Sequence, residues 1–183
     1  MSTTMQRGHA GSPGAGSERG QVPDRGLFAR LGRTVTAHPV RVALGLESHW
    51  AYLERKVSYA SVAEWAEAKL DPGERTLFLG ESRTAYWPGP TLASTVFEPN
   101  PLAGWLERSP DAASLAAQAR RSEVSYVLVN QAEWKRIESS DGPHYQYAAG
   151  PGQARVLSEW MGRWLQLLVT RDGCTLYRLK RAA

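Results

Sequence analysis

The stretch Thr76–Pro88 constrains the fold of this chain more than any other segment. Residues Leu77–Leu79 are apolar at every position, which is typical of a short strand covered on both faces of a sheet. Gly80 follows directly, and the polar residues after it predict a tight turn and then a helical turn that Pro88 closes. In an open α/β sheet, ligands bind beyond the carboxyl ends of such strands. The stretch therefore predicts an α/β domain with one ligand-facing edge.

Two further strands and a hairpin complete the predicted sheet. Apolar, β-prone segments predict strands over 75–79, 91–96 and 124–129, and a helix that starts at Ser109-Pro110 and ends near 122 separates the last two. This strand–helix–strand spacing is typical of a parallel βαβ unit. Asp172-Gly173 between two β-prone segments predicts an antiparallel hairpin over 167–179. We expect a three-layer α/β sandwich with a mainly parallel, Rossmann-like sheet and a C-terminal antiparallel hairpin.

The remaining helices are predicted from apolar residues at helical spacing. They cover a short segment around 46–53 and the ranges 59–70, 131–139 and 153–165, while 97–102 is predicted to be a loop. Ser58 and Asn130 occupy positions that suit N-caps, and Glu133 stands where a capping box needs an acid. Trp160 and Trp164 fall on the apolar stripe of the last helix and are predicted to lie in the core.

Charge is distributed unevenly along the 183 residues. Residues 1–45 contain six arginines against Glu18 and Asp24, whereas acidic and basic residues are equal in number from residue 46 onward. Residues 1–26 are rich in Gly, Ser, Pro and Arg and almost without large apolar side chains. We therefore expect a disordered basic tail over 1–43, followed by an α/β domain over 44–181. A neutral domain argues against a nucleic-acid-binding surface, which requires clustered Lys and Arg.

Several kinds of site are not indicated by the sequence. Cys174 is the single cysteine, which excludes an intrachain disulfide, and no pair of histidines has metal-ligand spacing. The glycine-rich patterns of nucleotide-binding loops are missing, so no cofactor is predicted. No run of about 18 apolar residues and no apolar signal-peptide core is present, so no transmembrane segment is expected and the cellular location is left open.

The predicted ligand-binding residues lie at the ends of two strands. Glu81, Ser82, Arg83 and Tyr86 follow the first strand, and Asn130 ends the third. Backbone N–H groups after Gly80, with the Ser82 and Arg83 side chains, could bind an anionic or hydroxylated ligand at a helix N-terminus. A purely structural interpretation stays open, in which Gly80 permits the turn, Ser82 caps it and the two charged side chains are solvated. Loop aromatics that could stack on a sugar or lipid head group are Tyr86, Trp87, Tyr145 and Tyr147.

A hydrolase is an alternative interpretation of the same turn. Gly80-Glu81-Ser82 resembles the Gly-Asp-Ser block of SGNH hydrolases, and Asp141 and His144 have the spacing of their Asp-x-x-His block. The resemblance would make Ser82 the nucleophile, His144 the base and Asp141 the residue that orients it. Glu81 replaces the family's aspartate, however, and the blocks that complete the oxyanion hole are missing.

A second resemblance covers about residues 44–180. It is carried by the segments 44–55, 77–86, 93–102, 124–133 and 176–179, in this order and at this spacing. Together they resemble the soluble C-terminal domain of bacterial polytopic C-superfamily glycosyltransferases, which are related to the protein mannosyltransferases and the lipid A aminoarabinose transferases. The resemblance implies a small α/β domain on the extracytoplasmic side of the membrane, beside an active site that transfers a sugar from a polyprenyl-phosphate carrier.

The catalytic acid of that family lies between its first membrane helices, which have no counterpart here, so no residue is assigned a catalytic role. The resemblance implies a non-catalytic accessory or ligand-recognition domain that is not an enzyme on its own. Its partner would be a membrane glycosyltransferase, or a glycan or lipid-linked sugar. A third interpretation is a protein-interaction module without a small-molecule site, which would need an exposed apolar patch such as one on residues 46–53.

Overall fold

The computed structural model describes residues 40–95, 98–138, 147 and 150–181. The chain divides into two compact units, Met1–Arg41 and Val42–Ala183. Nearly all of the predicted tail lies outside the described residues, and its last four residues, Val40–Ala43, form a short helix. Among the described helices, none has both the length and the apolar character needed to cross a membrane.

Seven helices and five strands lie within the described ranges. In chain order they are α1 (Val40–Ala43), α2 (His49–Glu54), α3 (Ala60–Lys69), β1 (Arg75–Leu79), β2 (Thr91–Leu92), α4 (Pro101–Arg108), α5 (Ala112–Arg121), β3 (Val124–Asn130), α6 (Gln131–Glu138), α7 (Pro151–Trp164), β4 (Leu165–Arg171) and β5 (Cys174–Leu179).

The five strands form one mixed sheet in the order β2-β1-β3-β5-β4. β1 pairs in parallel with both β2 and β3, whereas β5 pairs antiparallel with β3 and with β4. Asp172 and Gly173 connect β4 to β5 with φ values of 48° and 76°, which suits a tight hairpin turn. The predicted α/β class is confirmed, and the predicted parallel strands and antiparallel hairpin are both present.

Both faces of the central strands are buried, which explains their unbroken apolar sequence. Leu77 and Leu79 of β1 belong to one core cluster, which also includes residues of α4, α5 and α7. Phe78 points to the other face, where residues of α2 and α3 complete a second cluster. β3 alternates in the same way, and its inward residues contribute to both cores. Neither face of these strands is solvated, which favours apolar residues along their length.

The edge of the sheet next to β1 differs from the prediction. The strand predicted over 91–96 ends at Leu92, and residues 96–97 lie outside the described ranges. Beyond Leu92 the side chain of Asn100 bonds to the edge of β1 in place of a strand, because its Nδ2 donates to the carbonyl of Phe78 at 2.8 Å. Asn100 Oδ1 also accepts from the Leu102 N–H at 3.0 Å and caps α4, a helix that begins inside the predicted 97–102 loop. The loop prediction is therefore wrong from Pro101 onward.

Three predicted helix starts are also corrected. Ser58 does not cap α3, whose N-cap residue Tyr59 makes no side-chain capping bond. Asp111 rather than Ser109 caps α5, with Oδ1 accepting from the Ser114 N–H at 2.7 Å. No helix begins after Gly80, since residues 81–84 have no regular structure and residues 85–88 form a turn and a bend. In each case the position predicted from neighbouring residues is overridden by a contact with a distant part of the chain or by an acceptor that is better placed to cap the helix.

The segment around 46–53 is only partly the amphipathic helix that its sequence predicts. Leu46 precedes α2 and its residue surface is 66% exposed, whereas Leu53 is buried in the second core. Trp50 is half-buried, and its Nε1 donates to Glu67 of α3 at 3.1 Å. Helix α2 therefore packs on the domain and does not present a continuous apolar face. The interaction-module interpretation stays an untested prediction.

Candidate ligand-binding crevice

An open crevice of about 520 Å³ lies where the parallel strands β1 and β3 end. Its lining includes hydroxyl, amide and charged side chains together with apolar atoms: Ser58, Gly80, Glu81, Ser82, Arg83, Ser94, Thr95, Asn130, Ala132, Glu133, Arg136, Ile137 and Asp172. Four of the five predicted ligand-binding residues meet here, namely Glu81, Ser82, Arg83 and Asn130. Tyr86 is not among the lining residues.

Gly80 brings the backbone of β1 against the start of α6. Its φ is 74°, and a Cβ atom at this position would lie 2.7 Å from the Asn130 carbonyl oxygen and 3.0 Å from the Trp134 nitrogen. The Gly80 N–H donates to the hydroxyl of buried Tyr147 at 2.7 Å, and the Tyr147 ring stacks on Trp134 with centroids 4.5 Å apart. Both the backbone conformation and the close approach require glycine here.

Glu81 is the centre of the polar network in the crevice, although its side chain is only 5% exposed. Its Oε1 accepts from the backbone N–H groups of Ser82 at 3.1 Å and Arg83 at 3.0 Å, and from Arg83 Nε at 2.9 Å. Its Oε2 accepts from Arg83 Nη2 at 2.8 Å and from the Ser58 hydroxyl at 3.1 Å. The carboxylate therefore fixes the turn that follows β1, in contrast to the solvated role of the structural interpretation.

The ionisation of Glu81 follows from these contacts. Burial is the largest single influence and would raise the pKa of Glu81, but the hydrogen bonds and charge of Arg83, with the Ser58 hydroxyl, outweigh it. The pKa of the Glu81 carboxyl is accordingly lowered from its ordinary value. The hydrogen bonds that Arg83 makes to Glu81, together with the charge of that carboxylate, outweigh burial and raise the pKa of the Arg83 guanidinium. Both groups stay ionised at neutral pH.

Arg83 is held from two sides. Besides its bonds to Glu81, its Nη1 donates to the carbonyl of Lys56 at 3.0 Å, and its backbone carbonyl accepts from the Tyr59 hydroxyl. The Arg83 side chain is nevertheless 54% exposed and lines the crevice. The guanidinium is therefore oriented by the protein while part of it faces the open space.

Ser58 and Asn130 connect this turn to the end of β3. Asn130 Nδ2 donates to the Ser58 hydroxyl at 3.1 Å, and the Ser58 hydroxyl donates to Glu81. Asn130 Oδ1 accepts from the Glu133 N–H at 3.4 Å, which agrees with its predicted role at the start of α6. The Glu133 carboxylate pairs with Arg136 at 2.6 Å. The expected contribution of Asn130 to the crevice is thus combined with a capping role.

The predicted anion site at a helix N-terminus after Gly80 does not form. No helix begins there, and the N–H groups of Ser82 and Arg83 are already bonded to Glu81. The structure places hydroxyl groups in the crevice instead, from Ser58, Ser82, Ser94 and Thr95. The local sequence of Ser58 predicts only a helix cap. Its role in the crevice is not visible there, because its partners Glu81 and Asn130 lie far away along the chain.

The predicted aromatic stacking residues occupy other places. Trp87 and Tyr147 are buried, so the prediction that they stack on a ligand is wrong. Tyr86 is 44% exposed and lies beside His49, with ring centroids 6.4 Å apart, outside the crevice. Its ligand-binding role stays a prediction, and Tyr145 lies outside the described residues.

Only one of the three residues of the hydrolase interpretation, Ser82, lies within the described part of the chain. Ser82 lines the crevice and is exposed, whereas Asp141 and His144 lie outside the described residues. Within the described part of the chain, no histidine lines the crevice. The same residues contain no group of three or more His, Cys, Asp or Glu side chains placed to hold a metal ion.

Comparison with known proteins finds similarity among solved structures and none among family models or curated sequences. No family model matches the chain, and no curated protein sequence matches it. Among solved structures, the C-terminal globular domain of an oligosaccharyltransferase from Archaeoglobus fulgidus superposes with a TM-score of 0.45 at 10% sequence identity. The superposition covers 68% of this chain and 98% of that one. A similarity of this extent does not by itself establish a shared fold or function.

Proposed function

We propose that residues 44–181 form a non-catalytic accessory or ligand-recognition domain of the glycosyltransferase type. The observation that carries the proposal is the crevice beyond β1 and β3, whose turn is fixed by the buried Glu81 carboxylate. Three of the segments that resemble the glycosyltransferase domain meet at this crevice. Segment 77–86 contributes Gly80–Arg83, segment 93–102 contributes Ser94 and Thr95, and segment 124–133 contributes Asn130 and Glu133.

The crevice is better suited to holding a ligand than to reacting with it. Glu81 accepts hydrogen bonds on both carboxylate oxygens, and its lowered pKa makes it a poor proton acceptor at neutral pH. Glu133 is paired with Arg136. These are the arrangements expected of groups that orient a bound molecule.

The finer parts of the proposal concern architecture and surroundings. The two cores on opposite faces of the sheet support a three-layer, Rossmann-like arrangement extended by the β4–β5 hairpin. The resemblance in sequence supports an extracytoplasmic domain that works next to a membrane glycosyltransferase, or that recognises a glycan or lipid-linked sugar. In this proposal, association with the membrane comes from that partner.

Binding of the purified chain to immobilised glycans and to a polyprenyl-phosphate-linked sugar tests the proposal. Ser94 lines the crevice outside the Glu81 network, so Ser94→Trp should fill the space while leaving the turn intact. Ser158 on exposed α7 surface provides the matched control, Ser158→Trp. We expect at least one sugar ligand to bind to the wild type and to the control and to be lost in Ser94→Trp. No sugar binding, or binding that Ser94→Trp leaves unchanged, would contradict the proposal.

The same preparation separates recognition from hydrolysis. The proposal predicts no turnover of a simple acyl ester that depends on Ser82. Turnover by the wild type that disappears in Ser82→Ala would instead establish the esterase.

A further inference from the structure

We infer that the crevice selects an uncharged ligand with hydroxyl groups on neighbouring carbon atoms, as in a pyranose ring, and that Arg83 donates to that pair of oxygens. The inference rests on the proposed recognition function and specifies the class of ligand. It follows from the unused donors of Arg83, from the charges of the lining and from the way the crevice uses its backbone N–H groups.

The donors of Arg83 can be counted. A guanidinium has five N–H groups. Arg83 uses Nε and one N–H of Nη2 for Glu81, and one N–H of Nη1 for the Lys56 carbonyl. One N–H therefore remains on each terminal nitrogen of a side chain that is 54% exposed in the crevice. Two donors on adjacent nitrogens match two acceptors on adjacent atoms.

Neighbouring oxygens occur in a carboxylate, a phosphate and a vicinal diol, and the charges of the lining distinguish them. The lining contains three acidic side chains, Glu81, Glu133 and Asp172, against the two bases Arg83 and Arg136. The charge of Arg83 is compensated by Glu81 at 2.8 Å, and that of Arg136 by Glu133 at 2.6 Å. An anionic ligand would therefore meet a slightly negative surface, whereas a neutral diol would not be repelled.

Four backbone N–H groups at the ends of β1 and β3 are also occupied. The N–H groups of Ser82 and Arg83 donate to the Glu81 carboxylate. At the start of α6, the Gln131 N–H donates to the Gly173 carbonyl at 3.0 Å, and the Glu133 N–H donates to Asn130 Oδ1. The chain's own oxygens thus take the positions that phosphate oxygens occupy in anion sites.

The N–H groups of Arg83 that would donate to the diol are held in place before a ligand binds. Arg83 is bonded to Glu81, Glu81 to Ser58 and Ser58 to Asn130, so elements on both sides of the crevice fix the guanidinium. Holding a long side chain in its binding orientation lowers the entropy lost when a ligand binds. The hydroxyls of Ser82 and Ser94, which line the crevice, provide further groups that can donate to or accept from a sugar.

Calorimetric titration of the full chain tests the inference with three probes. They are methyl α-mannoside, its 2,3-dideoxy analogue without a vicinal diol, and inorganic phosphate. We expect the mannoside to bind, and the dideoxy analogue and phosphate to bind at least tenfold more weakly. Arg83→Lys keeps the charge but removes the paired donors, so it should weaken mannoside binding roughly tenfold or more. Arg155→Gln, on exposed surface away from the crevice, should leave it unchanged.

The outcomes separate the inference from the function it rests on. Binding of phosphate, lost in Ser94→Trp, without binding of the neutral glycoside would overturn the inference and leave ligand recognition standing. Equal binding of the mannoside and its dideoxy analogue would also overturn it. If none of the three probes binds, the inference fails, and the recognition function fails with it only if the immobilised glycans and the lipid-linked sugar do not bind either. If Arg83→Lys does not fold, the comparison of the three probes on the wild type decides.

Discussion

The two ends of the central strands use the same residue types with different results. At the carboxyl end, Glu81 is 5% exposed and accepts hydrogen bonds from Ser58, Ser82 and Arg83. At the opposite end, the Glu74 side chain is 28% exposed, accepts from the Tyr126 hydroxyl and lies 3.6 Å from Arg178. A glutamate–arginine pair thus fixes the backbone at one end, while at the other it lies on the rim of a smaller cleft of about 300 Å³.

The comparison shows that the contribution of a charged residue to stability depends more on its burial and its hydrogen bonds to the backbone than on the presence of a charge pair. An exposed pair contributes little free energy because water screens it. A buried carboxylate that satisfies backbone N–H groups cannot be removed without leaving those groups unpaired. The predictions below test this difference between the two ends, beginning with the largest expected effect.

Gly80→Ala should have the largest effect on stability. It combines a φ of 74° with a Cβ position 2.7 Å from the Asn130 carbonyl oxygen. We expect the free energy of unfolding to fall by about 2–4 kcal/mol, measured by denaturant titration. Gly173→Ala is the matched control, because Gly173 has a φ of 76° and no atom within 4 Å of the position that a methyl group would take. If the control costs as much as Gly80→Ala, the close approach of the two backbone segments is not what requires glycine.

Glu81→Gln should destabilise the domain by about 2 kcal/mol, since the amide cannot accept on both sides of the turn. Glu74→Gln at the opposite end should cost at most about 1 kcal/mol, because its pair is more exposed. Both values come from the same denaturant titration at neutral pH. Equal losses at the two ends would show that the proposed difference between them does not exist.

Acid should weaken the crevice through the same carboxylate. The pKa of Glu81 is lowered in the folded state from its ordinary value of 4.5, so its contribution is fully present above that value. The contribution is lost as the pH falls below 4.5 and through the folded-state pKa. The stability difference between wild type and Glu81→Gln should therefore be constant near neutral pH and shrink below about pH 4.5. A difference that grew on acidification would mean that the pKa is raised instead.

Ser58→Ala should have the smallest effect at the crevice, about 1 kcal/mol, because it removes one hydroxyl between Asn130 and Glu81. Ser94→Ala serves as the control and should be neutral, since Ser94 lines the crevice outside the network. Thermal unfolding of the two variants side by side provides the measurement. A neutral Ser58→Ala would mean that the two sides of the crevice are not coupled through this serine.

The sequence predicted those parts of the fold that depend on local patterns. The apolar segments of β1 and β3 and the Asp172-Gly173 turn were located correctly, and the rule that parallel strands end at one edge brought Gly80–Arg83 and Asn130 together. The end of β2 and the start of α4 could not be predicted in the same way. They depend on Asn100 bonding to Phe78, which is 22 residues away along the chain.

The site was predicted less completely than the sheet for the same reason. Ser58 reaches its partner Asn130 across 72 residues, so its local sequence indicated only a helix cap. Glu81 and Arg83 both line the crevice, and their role in binding a ligand stays a prediction, but the sequence did not indicate that they pair with each other. That pairing changes the expected ligand, because it removes the free charge that an anion would need.

Backbone amide chemical shifts of the labelled chain locate where a neutral glycoside binds and test the assignment of the crevice most directly. We expect titration with methyl α-mannoside to shift the amides of Ser82, Arg83 and Asn130 and to leave those of Glu74 and Tyr126 unchanged. Shifts confined to Glu74 and Tyr126 would place the ligand at the opposite end of the sheet and contradict the assignment of the crevice.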